Sequence, residues 1–465
     1  MSLAGFRKKF IGDRAFYKMF LLLVVPMIIQ NSITNFVNLL DNIMVGRLGT
    51  EPMSGVAIAN QLIFVFNLSI FGGIAGAGIF GAQFFGKGDH DGVRHTFRFK
   101  LIVCLALAAI FITVFALFDE QLISLYLHDA GDGGDLMMTL QEGKKYLKII
   151  LFGLLPFAVN NAYVGTLRET GETVLPMKAG VTAVLVNLCF NWLLIFGHLG
   201  FPRLGVQGAA IATVLSRYVE LAIVVWWTHG HKERNRFAVG LYKGFSVPGE
   251  LAGRIIQKGW PLLLNEFMFS LGLTVINQCY STRGLAAVAA VNISAVLSQL
   301  FRVVVFAGGS AISILVGNRL GAGRMEEAKD VDNKLFFVTV ASSTAVGIIL
   351  FMLAPLFPQM YNTTDEVRAL ATSFLRIAAC FFPVMAFNNN CYFTLRAGGK
   401  TFITFLFDSM FIWAIILPPT FAVSRLTAMP VTAMYLLVNS LELIKSAGGF
   451  FLVRSGTWIS NIVTK

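Results

Sequence analysis

Twelve stretches of about 20 mostly apolar residues run through this chain, and their number and length limit what it can fold into. They lie near 17–40, 54–80, 97–118, 146–164, 174–196, 207–228, 255–280, 286–316, 333–354, 369–394, 402–423 and 429–453. A helix of that length crosses the hydrocarbon core of a bilayer. The runs are continuous, whereas the strands of a membrane barrel alternate apolar with polar residues. The expected fold is therefore all-α and polytopic, with 12 transmembrane helices. Composition excludes the soluble alternative: 56% of the residues are hydrophobic and 13% are charged, against about 25% charged in a soluble domain.

The net charge of +12 does not indicate nucleic acid. A nucleic-acid surface clusters its basic residues on a wet face, whereas here they fall in short gaps between apolar runs. Their distribution sets orientation instead. The N-terminus (Arg7, Lys8, Lys9), the 81–97 and 165–173 loops, the 229–254 segment, the 317–334 loop, the Arg396/Lys400 loop and the C-terminus hold most of the 37 Lys and Arg. The opposite set includes an acidic loop with Asp119, Glu120, Asp129, Asp132 and Asp135. The positive-inside rule puts the basic set, and with it both termini, in the cytoplasm. The first apolar run is long, lacks a small-residue cleavage site and leads into further spans, so it reads as a retained helix, not a signal peptide. The five cysteines lie in or beside apolar runs without paired spacing, which supports neither disulfides nor a metal site.

The chain repeats itself. At an offset of 235 residues Pro26 falls on Pro261, Gly49 on Gly284, Gly73 on Gly308, Gly86 on Gly321 and Gly88 on Gly323. At 228, Asn160-Asn161 and Thr166-Leu167-Arg168 fall on Asn388-Asn389 and Thr394-Leu395-Arg396. Two halves are expected, 1–228 and 255–465, joined by a cytoplasmic linker at 229–254. Six spans is an even number, so the halves are parallel repeats. Transporters of that build bind substrate where the halves meet and rock one against the other.

Polar residues inside spans carry the functional reading, because they are expensive there. Asp41 ends the first span after Asn31, Asn35 and Asn38, which share a helical face. A carboxylate that loses its water shell holds a proton or Na⁺, and the alternative is an interfacial Asp at a helix end. Asn187 and Asn191, at i and i+4, and Thr213 offer oxygens for a hard cation beside Asp41, or simply bond helices together. In the second half Glu266, Arg302 and Asp408 have no local partner and must meet other charges across the bundle or line a wet cavity. Glu442 and Lys445, at i and i+3, either neutralise each other or take part in binding substrate. A substrate cavity would draw on Asn35, Asn38, Glu266, Arg302, Asn388, Asn389, Asp408 and Lys445. No Walker, HExxH or GxSxG motif is present in the sequence, so neither direct ATP coupling nor an enzyme is expected.

The stretch Leu40-Asp41-Asn42-Ile43-Met44-Val45-Gly46-Arg47-Leu48-Gly49 resembles the first-span signature of the multidrug and toxic compound extrusion family. So do the GKGD (86–89) and GAGR (321–324) loops and the two TLR tripeptides. Pro261-x-x-x-Asn265-Glu266 and the Ser440–Lys445 segment are similar to a bacterial branch of it. The resemblance covers essentially the whole chain. It implies two pseudo-symmetric six-helix lobes around a central cavity, in a monomer of the bacterial inner membrane. It also implies export of organic cations or other amphiphiles in exchange for H⁺ or Na⁺, with no other cofactor. By the same resemblance Asp41 is the ion-coupling carboxylate, and Asn187, Asn191 and Thr213 are neighbours of the cation site. The chain departs from the family pattern at Asn191, where many relatives have Asp. It departs again at Phe387-Asn388-Asn389-Asn390, where some have a carboxylate. The runner-up function is a lipid-linked precursor flippase of the same two-lobe superfamily. It would need a strongly cationic cavity, for which Arg302 and Lys445 are the deep candidates.

Overall fold

The computed structural model describes residues 9–127 and 135–464; Arg7, Lys8, Asp129 and Asp132 of the sequence reading lie outside them. Among the described residues, twelve helices are long and apolar enough to cross a membrane: α1 (Arg14–Gly46), α2 (Thr50–Lys87), α3 (His90–Leu117), α4 (Leu136–Glu169), α5 (Val174–Phe196), α6 (Val206–Gly230), α7 (Gly249–Ser281), α8 (Leu285–Gly321), α9 (Met325–Leu353), α10 (Asp365–Ala397), α11 (Thr401–Leu426) and α12 (Val431–Arg454). Helices satisfy every backbone polar group within the segment, which a bilayer demands. Most of them run past the apolar stretch that signalled them. α4, for example, starts ten residues before the expected 146, and its lysines explain why that span is hard to see in the sequence. Lys144 pairs with Glu120 at 2.7 Å, and Lys148 lies 3.8 Å from Asp119, both acids belonging to a short helix, Asp119–Ser124.

Pro26, Pro156, Pro261 and Pro383 sit inside α1, α4, α7 and α10. α11 is irregular for a similar reason. Pro418 and Pro419 lack the amide donors that the carbonyls about one turn before them would use, next to a π-turn at Ile412–Ile416, and a further π-turn stands at Leu406–Met410. Large apolar side chains such as Phe152, Trp226 and Leu426 are largely exposed. Such surface would aggregate in water and suits lipid.

By packing, the described chain divides into two compact units. One comprises Ile29–Gly81 and His90–Gly253; the other takes the residues up to Ile28, Ala82–Asp89 and those from Arg254 onward. In the first unit small residues bring helices together, as membrane packing favours. A Cβ on Gly55 would lie 2.6 Å from the Thr139 carbonyl of α4, and one on Gly208 would lie 2.6 Å from the Leu194 carbonyl of α5. The 229–253 segment is packed on α3: Arg94 donates to the Phe237 carbonyl at 3.2 Å, and Arg98 to those of Leu241 and Gly240 at 2.9 and 2.8 Å.

In the second unit the end of α2 meets the end of α8 with the repeat's own symmetry. A side chain on Gly86 would run into the Asn318 carbonyl, and one on Gly321 into the Gln83 carbonyl. Gln83 and Asn318 are themselves 235 residues apart, so one contact is made twice. This is why glycine recurs at both positions. The buried Gln83 amide also holds the C-terminal tail. It donates to the Ala397 and Ser460 carbonyls at 2.9 and 3.2 Å and accepts from the Ile462 N–H at 2.8 Å. An apolar core runs from Phe16, Phe20 and Leu23 of α1 through Ala311 and Leu315 of α8 to Leu335, Leu395 and Trp458.

Candidate functional site

Asp41 lies near the end of α1, where α5 and α6 place three polar side chains around it. Asn191 Nδ2 donates to Asp41 Oδ1 at 2.6 Å. The Asn187 amide is satisfied with its nitrogen facing the carboxylate, donating to Oδ1 and Oδ2 at 3.0 and 3.1 Å while its oxygen accepts from Thr213 Oγ1 at 3.3 Å. The four residues expected to form an ion-coupling group are thus brought together. Asn187 and Asn191 share a face of α5, and Gly208 draws α6 close enough for Thr213 to reach. Both asparagines are buried, and Asn191 Oδ1 has no hydrogen-bond partner among the described residues.

Chemically the site is two-faced. An amide offers donors on one side and an acceptor on the other. With nitrogens turned inward, the pair stabilises a carboxylate. With oxygens turned inward, it would present carbonyl ligands to a cation beside Asp41. Arg217, one turn along α6 from Thr213, adds a positive field to Asp41. Its guanidinium lies over the Phe157 ring at 4.7 Å and 3.9 Å from Glu220. Asn35 is half-buried and Asn38 exposed; among the described residues neither hydrogen-bonds into this cluster.

The second unit holds a separate polar cluster built on α7, α10, α11 and α12. Lys445 Nζ lies 2.7 Å from Asp408 Oδ1, with both side chains largely buried. Of the two readings of Glu442 and Lys445, direct pairing is not the one the described residues show. Asp408 supplies the partner from across the bundle, and Glu442 accepts instead from Asn388 Nδ2 at 2.8 Å. Asn265 Nδ2 donates to Asp408 Oδ2 at 3.1 Å, and Ser446 Oγ donates to Asn388 Oδ1 at 2.7 Å. One carboxylate, Asp408, therefore pairs with the ammonium, and the second, Glu442, acts on it through space. Asp408 stands in the first π-turn of α11, where the wider helix turns its side chain toward α7 and α12.

Glu266 lies in the field of Arg396. This echoes the first unit, where Arg168 donates to Gln30 Oε1 at 2.7 Å; Gln30 and Arg168 are the repeat counterparts of Asn265 and Arg396. Arg302 and Asn389 are not part of the Asp408 cluster. Asn389 bonds the Val305 carbonyl at 3.1 Å. Arg302 is half-buried, and its Nε has no hydrogen-bond partner among the described residues. The residues missed from the sequence are Asn265, Ser446 and Arg217. Asn265 carried a signal, since it stands beside Glu266 at the repeat position of Gln30.

A family model for MatE matches residues 26–193 and 261–420, which fall in both halves of the repeat. The probable multidrug resistance protein NorM of Thermotoga maritima is 24% identical over 437 residues, 94% of this chain and 92% of that protein. The multidrug resistance protein MdtK of Yersinia pestis is 25% identical over 78% of this chain and 77% of its own length. Among solved structures, one described as the outward-facing conformation of a multidrug resistance MATE family transporter of the MOP superfamily superposes with a TM-score of 0.83 at 21% identity, covering 96% of each chain. A MOP superfamily transporter from Pyrococcus furiosus gives 0.82 at 20% identity and 96% of each. With two matched halves, twelve membrane helices and relatives aligned over most of their length, this chain belongs to the MatE family and is a membrane transporter, not an enzyme.

Proposed function

We propose that this chain is a multidrug exporter that moves organic cations or other amphiphiles out of the cell in exchange for H⁺ or Na⁺. The observation that carries the reading is Asp41, a carboxylate inside the first unit held by Asn191 at 2.6 Å and by the reversible amide of Asn187. Taking up a proton or Na⁺ there removes the negative charge to which both amides point. The contacts between α1 and α5 then favour a different packing, and two conformations with different ion affinity are what coupling requires. The names of the relatives support a multidrug substrate range, and the repeat supports rocking-type alternating access by a single chain. The Lys and Arg distribution supports cytoplasmic termini.

The cluster of Asp408, Glu442 and Lys445 suits a cationic substrate better than an anionic one, because Lys445 is already neutralised and a carboxylate remains. The same pairing weighs against a flippase for pyrophosphate-linked lipids, which would need free cations at that depth.

The test is transport of a fluorescent organic cation by the protein in liposomes, with pH and Na⁺ gradients imposed separately. One gradient should drive export and Asp41→Asn should abolish it. Wild-type transport by Asp41→Asn under both gradients would refute the coupling role. Movement of a lipid reporter without any gradient would favour the flippase.

A further inference from the structure

The repeat places a threonine at the same point of each half, and each threonine meets a buried charge. In the first unit Lys100 of α3 donates to Thr166 Oγ1 at 3.1 Å and pairs with Glu169 at 2.6 Å, so that charge is neutralised. In the second unit Thr394 Oγ1, the counterpart of Thr166, donates to Asp332 Oδ1 of α9 at 2.7 Å. Asp332 is 3% exposed, and no cation is paired with it among the described residues. Its helix neighbours Val331 and Leu335 belong to the apolar core that includes Cys391 and Leu395 of α10.

The charges around Asp332 are engaged elsewhere. On its own helix, Asp330 pairs with Lys334 at 2.5 Å and Glu326 with Lys329 at 2.6 Å. On α10 the Arg396 guanidinium lies over the Phe393 ring at 5.6 Å. On α8 Arg319 donates to the Leu315 carbonyl and to Met19 of α1. Tyr17 of α1 packs on Phe16. Cys391 is the titratable neighbour on α10 that lies within reach of the Asp332 charge. The Asn390 amide, which would be a second donor, is committed to Thr339 Oγ1 at 2.5 Å.

An ionised carboxylate with one hydroxyl donor in an apolar core is too costly to persist. A bound Na⁺ would find two oxygens here, where hard cations take about six. A proton satisfies the group completely. We propose that Asp332 is a second proton-binding site of the transport cycle, a carboxylic acid held neutral between α9 and α10 that releases its proton when water reaches that seam. The proposal deepens the ion-coupled reading and rests on it.

The test is infrared spectroscopy on the full chain in lipid, paired with the liposome assay. Wild type at neutral pH should give the carbonyl stretch of a buried carboxylic acid, and Asp332→Asn should lack it. Thr394→Val keeps the acid but removes its hydroxyl donor, so the band should persist at higher wavenumber. Export under a pH gradient should fall about tenfold in Asp332→Asn, as for loss of an interaction worth about 1.4 kcal/mol in the limiting step. Reporter binding should be retained. Absence of the band in wild type, or an Asp332→Asn variant with wild-type export and proton count, would overturn the proposal. If wild type exports under neither gradient, the coupled-export reading fails instead, and the infrared band still decides whether Asp332 holds a proton.

Discussion

The Lys100–Glu169 pair allows a quantitative test of the first unit's packing. Lys100 Nζ lies 2.6 Å from both carboxylate oxygens of Glu169, with side-chain exposures of 1% and 12%. At an effective dielectric of about 20, that separation corresponds to roughly 6 kcal/mol of Coulomb attraction before desolvation is subtracted. Breaking a buried pair by removing one partner costs about 3–5 kcal/mol, because the other charge is left uncompensated. Glu169→Gln leaves the Lys100 ammonium buried without a counter-charge, with only the neutral oxygens of Thr166 and the new amide to accept from it. For a unit of this size each kcal/mol moves Tm by about 2–4 °C, so the variant should melt roughly 6–20 °C lower. Adding Lys100→Met removes the stranded charge, and the double variant should recover to within about 1 kcal/mol of wild type. Thermal unfolding of the purified protein in detergent, followed by intrinsic fluorescence, measures all four corners of the cycle. An unchanged Tm in Glu169→Gln, or strictly additive losses in the double variant, would show that the pair is not the buried neutral unit inferred from its geometry.

Other contacts give sharp expectations. Gly86→Ala and Gly321→Ala each force a side chain into a backbone carbonyl of the opposing helix and should cost about 1–3 kcal/mol in the same melting assay. Because they strain one shared contact, the double variant should lose less than the sum. Asn191→Asp would set a second carboxylate about where Nδ2 now meets Asp41 at 2.6 Å. Two anions there repel by roughly 6 kcal/mol at an effective dielectric of 20, so export by this variant should depend more steeply on Na⁺ or H⁺, as a titration of transport against each ion would reveal. Lys445→Met leaves Asp408 and Glu442 without their ammonium and should tighten binding of a cationic reporter. Asp408→Asn should weaken it, tenfold for each ~1.4 kcal/mol, as measured by fluorescence titration.

The helix count and the repeat were legible because both are written in local sequence: apolar runs of fixed length, and glycines at a constant offset. The Asp41 cluster was half legible. Asn187 and Asn191 share a face by spacing alone, but their meeting with Asp41 depends on α1 packing against α5, which no local pattern encodes. Lys445 shows the limit of local reasoning most clearly. The i, i+3 rule offered Glu442, whereas the π-turn of α11 brings Asp408 to it from 37 residues away. No local residue pattern announces that π-turn. Asp332 was passed over because it lies next to basic loop residues and reads as part of a cytoplasmic loop. Only the packing of α9 against α10 buries it.

The Gln83 amide also constrains the order in which the chain can be finished. Its oxygen waits for an N–H that lies 379 residues further along, and its nitrogen for carbonyls almost as distant. At about 5–20 residues per second of synthesis, the end of α2 stands in the membrane for roughly 20 to 75 seconds before its last partner exists. During that time a buried-to-be polar group must be held by water, lipid headgroups or a chaperone. A truncation ahead of Ser460 would therefore do more than shorten a tail: it would leave an early helix permanently unfinished. The stretch from Ser460 to Ile462 completes the hydrogen bonding of a segment made several hundred residues earlier.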